Sequence, residues 1–397
     1  MAKSDKKVWI VVEPLLFIHT GNFLGAILRH QRVSEDFEVI LVTSQVSVAF
    51  DGVSREMTNE FGDRFKIHEY AYPQLTRNYS YFDTTIRAFF AMREAAKLAR
   101  QKSAEEVTLF YADHFVKLLG LPFMARFFGA LKNKVDSIFF NTRCFRQDGF
   151  KNKIHAGLVI RGLRTGFFRK MHFLDHGVCE KVREKLPKRF RETVVRGVDP
   201  WRPLPASGEA RNSDRSSSRL TLFTFGAHSL RKGTLTLLKM LKDFPEETKN
   251  YELLIVGEIR DEIREEFDQL LTEIPRGGAQ VRVEARFVEE ERMGQYFRQA
   301  DIVTCPYVNF HGSSNVVIRA AAAGLPVVVP SFGFLQDLVA EGGLGELAKE
   351  NTPPGILKAI QKIEVKLRDE DDRYKEACSR YANFHAETRF PESLASL

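Results

Sequence analysis

The feature that most constrains the fold of this chain is the repeated alternation of short apolar runs with longer helical patterns. Runs such as 37–44 (FEVILVTS) and 252–258 (ELLIVGE) are almost continuously apolar, which is typical of strands that are buried on both faces. Strand–helix–strand alternation predicts parallel sheets covered by helices, an α/β fold. The predicted strands are 8–14, 37–44, 65–72, 106–113, 136–143, 171–176, 193–199, 220–227, 252–258, 281–288, 301–307 and 325–332.

A polar, serine-rich stretch divides the chain. Residues 205–219 contain no large apolar side chain, so we interpret them as a linker. The strand–helix alternation restarts after it, which predicts two doubly wound domains, 1–204 and 220–368. The last residues, 369–397, are expected to be helical and to return to the N-terminal domain.

Composition excludes several classes of protein. With 397 residues, 44% of them hydrophobic, the chain can build real cores and is not a disordered or fibrous protein. Its four cysteines are far apart, which argues against a disulfide scaffold or a zinc site and favours a reducing compartment. The longest nearly apolar run, 320–330, is too short to cross a bilayer. We therefore expect a cytoplasmic protein.

Basic residues concentrate in one segment. Between Arg126 and Arg196 there are 18 basic and 6 acidic side chains. Within it, 145–170 mixes basic residues with aromatic and aliphatic ones, a pattern that suits the inner face of an anionic membrane or an acidic, lipid-linked acceptor. An ordinary solvated surface is the alternative. No recognised nucleic-acid-binding module is present, so no specific nucleic-acid partner is expected.

The first phosphate-binding candidate follows the strand 220–227. Gly226 permits a tight turn, and Arg231 and Lys232 supply adjacent cations before an apolar helix. Helix starts normally favour acidic residues, so two cations there predict a site for a diphosphate.

The second candidate follows the strand 301–307. Gly312, Ser313, Ser314 and Asn315 form a turn of small, hydrogen-bonding residues that leads into an alanine-rich helix. Ser or Asn can cap this helix, and Gly312 lets an anion approach its free N–H groups. An ordinary helix cap is the alternative, but together with Arg231 and Lys232 the turn predicts the second wall of one phosphate site.

These pieces resemble a known family. GAHSLRKGTLTLL, LLIVGE, RFVEEERMGQYFRQADIVTCPY and NVVIRAAAAGLPVVV occur in the order and spacing of the family 4 glycosyltransferases, over roughly residues 190–365. The resemblance implies the GT-B fold, in which two Rossmann-like domains face a cleft. It also implies metal-independent, retaining transfer of a sugar from a nucleotide-sugar donor to a glycan or lipid-linked acceptor. The donor base would lie near Phe287 and Val288.

The sequence departs from the family at the donor site. The two glutamates that the family usually carries are replaced by His311 and Arg319, and an arginine after Gly226 by Ala227. His311 and Arg319 would then contact a negatively charged donor sugar or additional phosphate, and we assign His311 as a catalytic candidate. The alternatives are an inactive GT-B relative that serves as a binding or scaffold protein, and a nucleotide-sugar epimerase of the same fold.

The N-terminal half offers two further candidates. Gly21 and Asn22, in a predicted turn after the first strand, would let the backbone approach the donor or acceptor. Asp113 and His114, at the end of a predicted strand, are candidates for removing a proton from an acceptor hydroxyl. A helix cap is the alternative for this pair.

Overall fold

The computed structural model describes residues 6–14, 18–44, 52–72, 81–201, 219–288, 290–369 and 373–394. The chain divides into two compact units. The N-terminal unit comprises Met1–Pro200 and His385–Leu397, and the C-terminal unit comprises Trp201–Phe384. Most of the predicted linker 205–219 lies outside the described residues.

The N-terminal unit is built on a seven-stranded sheet in the order β3-β2-β1-β4-β5-β6-β7. Its strands are β1 (Lys7–Val12), β2 (Phe37–Ser44), β3 (Phe65–Tyr70), β4 (Glu106–Leu109), β5 (Val135–Phe139), β6 (Phe168–Phe173) and β7 (Val194–Arg196). Its helices are α1 (Ile18–Arg29), α2 (Gln31–Asp36), α3 (Gly52–Phe61), α4 (Tyr81–Gln101), α5 (Phe115–Leu119), α6 (Arg143–Arg146), α7 (Phe150–Leu163), α8 (His176–Lys185) and α9 (Lys188–Arg191), with 3₁₀ helices at Gly62–Arg64 and Met124–Leu131.

The C-terminal unit is built on a six-stranded sheet in the order β10-β9-β8-β11-β12-β13. Its strands are β8 (Leu220–Phe225), β9 (Tyr251–Val256), β10 (Gln280–Glu284), β11 (Ile302–Thr304), β12 (Val327–Pro330) and β13 (Gly345–Ala348). Its helices are α10 (Thr234–Asp243), α11 (Pro245–Thr248), α12 (Asp261–Glu273), α13 (Glu290–Gln299), α14 (Asn315–Ala322), α15 (Gly333–Gly342), α16 (Pro353–Arg368) and α17 (Arg373–Phe384), with a 3₁₀ helix at Leu230–Lys232.

Both sheets are parallel and share one topology. In each, the first strand lies between the second and the fourth, so the direction of winding reverses there. The pairing of β8 with β11, for example, aligns Leu222 with Ile302 and Phe223 with Val303. In open sheets of this kind, ligands bind beyond the carboxyl ends of the strands at the point of reversal. The predicted fold class, two doubly wound Rossmann-like units, is confirmed.

The predicted strands are all present, but several end earlier than predicted. Residues 110–113 leave the sheet after Leu109, and residues 285–288 leave it after Glu284. The strand β13 was not predicted. Its sequence, GELA, is short and carries no β-branched or aromatic side chain, so its propensity is not that of a strand.

The C-terminal tail completes the core of the N-terminal unit. Helix α18 (Arg389–Ser393) places Phe390 against Phe23 of α1, with ring centroids 4.8 Å apart, and Phe390 is fully buried. An ion pair between Arg29 and Glu387, at 2.8 Å, joins the same two segments. The N-terminal unit is therefore assembled from both ends of the chain.

A buried ion pair lies near the start of α4. Arg87 Nε donates a hydrogen bond to Asp83 Oδ2 at 2.9 Å, and both side chains are almost completely buried. The guanidinium also lies 4.7 Å from the ring centroid of Tyr72, whose hydroxyl donates to Asp83 Oδ1. Removing one member of a buried, hydrogen-bonded ion pair is strongly destabilising.

We expect Asp83→Ala to lower the free energy of unfolding by about 3–5 kcal/mol, because it removes the buried carboxylate that accepts hydrogen bonds from Arg87 and Tyr72. Urea denaturation of the purified protein measures this. The control is Glu94→Ala on the same helix, which removes an exposed pair with Lys97 and should cost less than about 1 kcal/mol. Equal effects of the two substitutions would contradict the interpretation.

Candidate functional site

The loop after β8 lies at the point of reversal of the C-terminal sheet. It turns at Gly226, passes through the 3₁₀ helix Leu230–Lys232 and enters α10 through Gly233. Gly226 has a φ of +114°, and a Cβ atom there would lie 3.1 Å from Lys232 Nζ. A glycine at 226 therefore lets the backbone turn while the lysine ammonium approaches it closely.

A buried histidine fixes this loop. His228 Nε2 donates to the carbonyl of Val256, at 3.1 Å, so Nδ1 is the acceptor for the hydroxyl of Thr234, at 2.7 Å. Burial lowers the pKa of His228 to about 4, which keeps the ring neutral. His228 thus ties the loop both to β9 and to the first residue of α10.

Lys232 is a buried cation that lacks an anionic partner. It is 8% exposed, and Nζ donates to the carbonyl of Phe225 and to the hydroxyl of Tyr307, both at 3.1 Å. Among the described residues, no carboxylate pairs with it. Burial lowers its pKa to about 8, and the charge of Arg231 acts in the same direction. A bound anion would relieve this destabilisation of the ammonium.

The loop after β11 forms the opposite wall. The Tyr307 ring centroid lies 4.7 Å from Lys232 Nζ, and its hydroxyl lies 3.2 Å from Ser314 Oγ. Asn351 Nδ2 donates to the carbonyls of Pro306 and Tyr307, which holds this loop in place. Arg231 lies over the rings of Tyr307 and Phe310, at 5.9 and 5.2 Å. The structure thus brings Arg231 and Lys232 together with the start of α14.

The start of α14 is open to a ligand at its backbone. Ser314 occupies the N-cap position, but its hydroxyl bonds to Tyr307 and makes no capping hydrogen bond. Gly312 and Ser313 lie half-buried in the turn before it. The first N–H groups of a helix have no partners within the helix and carry partial positive charge. Lys232 and the start of α14, linked through Tyr307 and Ser314, therefore suit a phosphate.

His311 and Arg319 have different surroundings. Arg319, on α14, is largely buried, and its Nε donates to Asn315 Oδ1 at 3.2 Å. His311 is half-buried and packs on Phe332, with ring centroids 5.6 Å apart. Arg319 therefore supports the first turn of α14, whereas His311 lies between that turn and the start of α15.

Two pairs of predicted site residues have a local structure that differs from the prediction. Phe287 and Val288 do not end a strand, because β10 stops at Glu284; Phe287 is 83% exposed, and Val288 packs against the core. Gly21 and Asn22 lie within α1 rather than in a turn. The glycine and asparagine were interpreted as turn residues, but the surrounding apolar spacing supports a continuous helix that starts at Ile18.

Asp113 and His114 follow β4 but do not form a pair. The Asp113 oxygens accept from the backbone N–H groups of Phe140 and Asn141, so the carboxylate holds the loop after β5. His114 Nδ1 instead lies 3.2 Å from the hydroxyl of Thr85. Burial raises the pKa of Asp113 and lowers that of His114 to about 4. A catalytic role for either residue stays a prediction.

Comparison with known proteins places this site in a family. Residues 219–364 match the family model described as Glycosyl transferases group 1. The C-terminal unit carries a glycosyl transferases group 1 domain. Lys232, Tyr307 and α14 all lie within it. A comparison with curated proteins found no sequence match.

Solved structures resemble the whole chain. A glycosyltransferase from Rickettsia africae matches over 98% of this chain and 96% of its own, with a TM-score of 0.67 and 13% identity. HepE from Anabaena, in complex with UDP, matches over 98% of both chains with a TM-score of 0.63 and 12% identity. A putative UDP-N-acetylglucosamine 2-epimerase from Listeria monocytogenes matches over 98% and 94%, with a TM-score of 0.60 and 9% identity. The group 1 domain and this fold confirm the predicted GT-B glycosyltransferase type.

Sequence reasoning missed two residues of the group 1 domain that define the site. Tyr307 was interpreted only as the end of a strand. His228 was placed in the loop before Arg231, with no role assigned to it. Tyr307 accepts a hydrogen bond from Lys232, and His228 donates one to the carbonyl of Val256. These partners are distant in sequence, so the local sequence pattern does not indicate either contact.

Within the described residues, no group of three or more His, Cys, Asp or Glu side chains could hold a metal ion.

We expect Gly233→Ala to destabilise the group 1 domain strongly. Gly233 has a φ of +71°, and a Cβ atom there would lie 2.0 Å from the carbonyl oxygen of Pro306, so the two walls of the site would separate. The control is Gly277→Ala, where φ is +88° but nothing lies within 4 Å, so only the backbone conformation costs about 1–2 kcal/mol. Melting temperatures compare the two variants. An equal decrease would show that the close approach to Pro306 does not matter.

Proposed function

We propose that the chain transfers a sugar from a nucleotide-sugar donor to an acceptor, with the donor diphosphate bound between Lys232 and the start of α14. The observation that carries the proposal is the buried, carboxylate-free ammonium of Lys232 at the point where the strand order reverses. HepE, which has a similar fold, has been crystallised with UDP and with UDP-glucose. Both observations support a nucleotide-sugar donor.

The chemistry of transfer requires stabilisation of a leaving group. When the bond from the sugar to the diphosphate breaks, negative charge develops on the diphosphate oxygens. Preorganised cations and N–H groups stabilise such charge, and Lys232, Arg231 and the first turn of α14 supply them. We propose retaining transfer without a metal on the strength of the family resemblance.

The residues that replace the family's glutamates bear on the sugar. His311 and Arg319 stand where acidic residues are usual, which supports a negatively charged donor sugar or additional phosphate contacts. The same replacement supports the alternative that the chain binds a nucleotide sugar without transferring it. The similarity in fold to a putative epimerase favours a second alternative, epimerisation.

Product analysis with a panel of neutral and acidic nucleotide sugars separates these functions. Transfer releases a nucleoside diphosphate and forms a glycoside. Epimerisation changes the sugar and forms no glycoside. Binding of a nucleotide sugar without turnover, with any acceptor supplied, would favour the inactive relative.

Lys232→Met should weaken the binding of UDP by about 10- to 150-fold, since a hydrogen bond to a charged group contributes about 1.5–3 kcal/mol. Methionine keeps most of the length of the side chain and removes the charge. Isothermal titration calorimetry measures the affinity. The matched control is Lys239→Met on α10, where the lysine is exposed and pairs with Glu266.

The pH dependence gives a second readout of the same prediction. The pKa of Lys232 in the protein without ligand is about 8, so the ammonium loses its proton as the pH rises above 8. The affinity for UDP should therefore fall above pH 8. The Lys232→Met variant should not show this decrease. A parent and variant with equal affinity at pH 7 would refute the assignment of this loop.

The acceptor side is proposed from the surface of the N-terminal unit. Exposed apolar side chains lie on the first turn of α4, on the segment 121–131 and on α7, which we call the basic–aromatic surface; they are Phe82, Leu121, Phe123, Phe127, Phe150 and Ile154. Tyr81 of α4 stacks on His155 of α7, with ring centroids 5.3 Å apart, so these elements adjoin. Exposed lysines, including Lys132, Lys134 and Lys151, accompany them.

This combination supports docking on an anionic membrane and a lipid-linked acceptor. Exposed aromatic rings insert at the headgroup level, and neighbouring cations attract anionic lipid. None of the described helices is long and apolar enough to span a membrane.

We expect the protein to bind vesicles of phosphatidylcholine with phosphatidylglycerol, and to bind less at high salt, because each engaged basic residue contributes about 1 kcal/mol. Replacing Phe123 and Phe127, each 69% exposed, by serine should weaken binding at least about fivefold. Vesicle sedimentation measures both effects. Phe287→Ser, in the C-terminal unit, is the control. An absence of binding at low salt would leave only the solvated-surface interpretation.

A further inference from the structure

A second buried lysine lies at the corresponding edge of the N-terminal sheet. Lys117 is on α5, which follows β4 at the point where the strand order reverses, and it is 8% exposed. Its Nζ lies 5.8 Å from the centroid of the Tyr81 ring. No described residue accepts a hydrogen bond from this ammonium or forms an ion pair with it. A buried cation without a counterion indicates a site for an anion.

One buried carboxylate interacts with Lys117 without forming an ion pair with it. Asp113 is close enough for its charge to interact with that of Lys117, but both of its oxygens accept backbone N–H groups, from Phe140 and Asn141. Cys144, which also lies near Lys117, is a neutral thiol because burial raises its pKa to about 11. Among the described residues, the ammonium therefore forms neither a hydrogen bond nor a close ion pair.

Two histidines complete the surroundings of Lys117. The centroid of the His114 ring lies 4.8 Å from that of Tyr81. The His155 ring stacks on the same Tyr81 ring, with centroids 5.3 Å apart. Burial and the charge of Lys117 lower the pKa of both histidines, that of His114 to about 4. Lys151 contributes to the shift of His155, and the two histidines repel each other's charged forms.

Two glycines explain how His155 reaches this position. A Cβ atom at Gly120 would lie 2.2 Å from the carbonyl oxygen of Leu158, and one at Gly162 would lie 2.0 Å from that of Val116. Helix α7 can therefore pack backbone to backbone against α5. His155 lies two turns before Gly162, on the same face of α7.

Hydrogen bonding determines which nitrogen of His114 is available. The hydroxyl of Thr85 donates to the carbonyl of Tyr81, at 2.8 Å, so it accepts from His114 Nδ1–H. His114 Nε2 therefore carries a lone pair and can take up a proton. His155 is half-buried.

We propose that Lys117, His114, His155 and Tyr81 form a binding site for a phosphate monoester. One fixed cation and two neutral histidines that become cations next to negative charge favour a dianion over a carboxylate or a phosphodiester. A phosphate monoester is largely dianionic at pH 7, because its second pKa is about 6. The group can belong to a soluble phosphate ester or to a lipid headgroup at the adjoining basic–aromatic surface. The site does not depend on the proposed transfer reaction, since binding alone defines it.

The experiment titrates the full chain with glycerol 3-phosphate at pH 7, and with glycerol as the uncharged control. Signals of His114 and His155 in NMR spectra of histidine-labelled protein report the site, and calorimetry gives the affinity. We expect millimolar or tighter binding, shifts of both histidine signals toward the protonated form, and no effect of glycerol. Lys117→Met should weaken binding at least tenfold, and Lys102→Met, an exposed lysine of the same unit, should not.

A second arm identifies the source of the phosphate. Vesicles that contain phosphatidic acid are compared with vesicles that contain phosphatidylglycerol at equal surface charge. Weaker binding of Lys117→Met to the soluble ester assigns the site to phosphate esters in general; a loss confined to phosphatidic acid assigns a lipid headgroup. If Lys117→Met is destabilised, His155→Phe, which keeps the stacked ring, replaces it. Equal binding of parent and variant to every probe, or no binding by the parent, overturns the proposal. UDP binding, measured in parallel, tests the C-terminal site separately.

Discussion

The parallel arrangement of every strand governs the chemistry of both units. Within each sheet the described strands run the same way, so their carboxyl ends lie at one edge, and the reversal of order beside the first strand opens a crevice at that edge. Each unit has, at the reversal point of its own sheet, a buried lysine beside a tyrosine ring: Lys232 with Tyr307, and Lys117 with Tyr81. The same topology thus brings a similar pair of side chains to the corresponding position in both units.

A buried ammonium without a counterion destabilises the fold that contains it. In the C-terminal unit, hydrogen bonds and close backbone contacts around the loop offset the cost of burying Lys232. His228 joins the loop to β9 and α10, Asn351 holds the opposite loop, and Gly233 allows the two loops to touch. Sites that hold a strained or desolvated group commonly trade stability for function in this way. Ligand binding is then expected to stabilise this unit.

The sequence predicted what depends on local pattern. The apolar runs located the buried strands, and Lys232 was identified because a cation at a helix start conflicts with the helix dipole. Tyr307 could not be identified, since its role depends on Lys232, which is 75 positions away. Gly21 was assigned to a turn because local composition outweighed the apolar spacing around it. The strand β13 pairs with β12 through backbone hydrogen bonds, and its side chains lack the β-branched or aromatic pattern that would predict a strand.

The return of the chain to its first unit affects how the protein is made. The C-terminal unit is continuous in sequence, from Trp201 to Phe384, and can fold as soon as those residues leave the ribosome. The N-terminal unit emerges first, yet Phe390, which packs on Phe23, is synthesised only after the whole C-terminal unit. Domains generally fold in order of synthesis. Here the first unit to appear is completed after the second unit has been synthesised, so nascent chains expose part of its core until Phe390 has emerged.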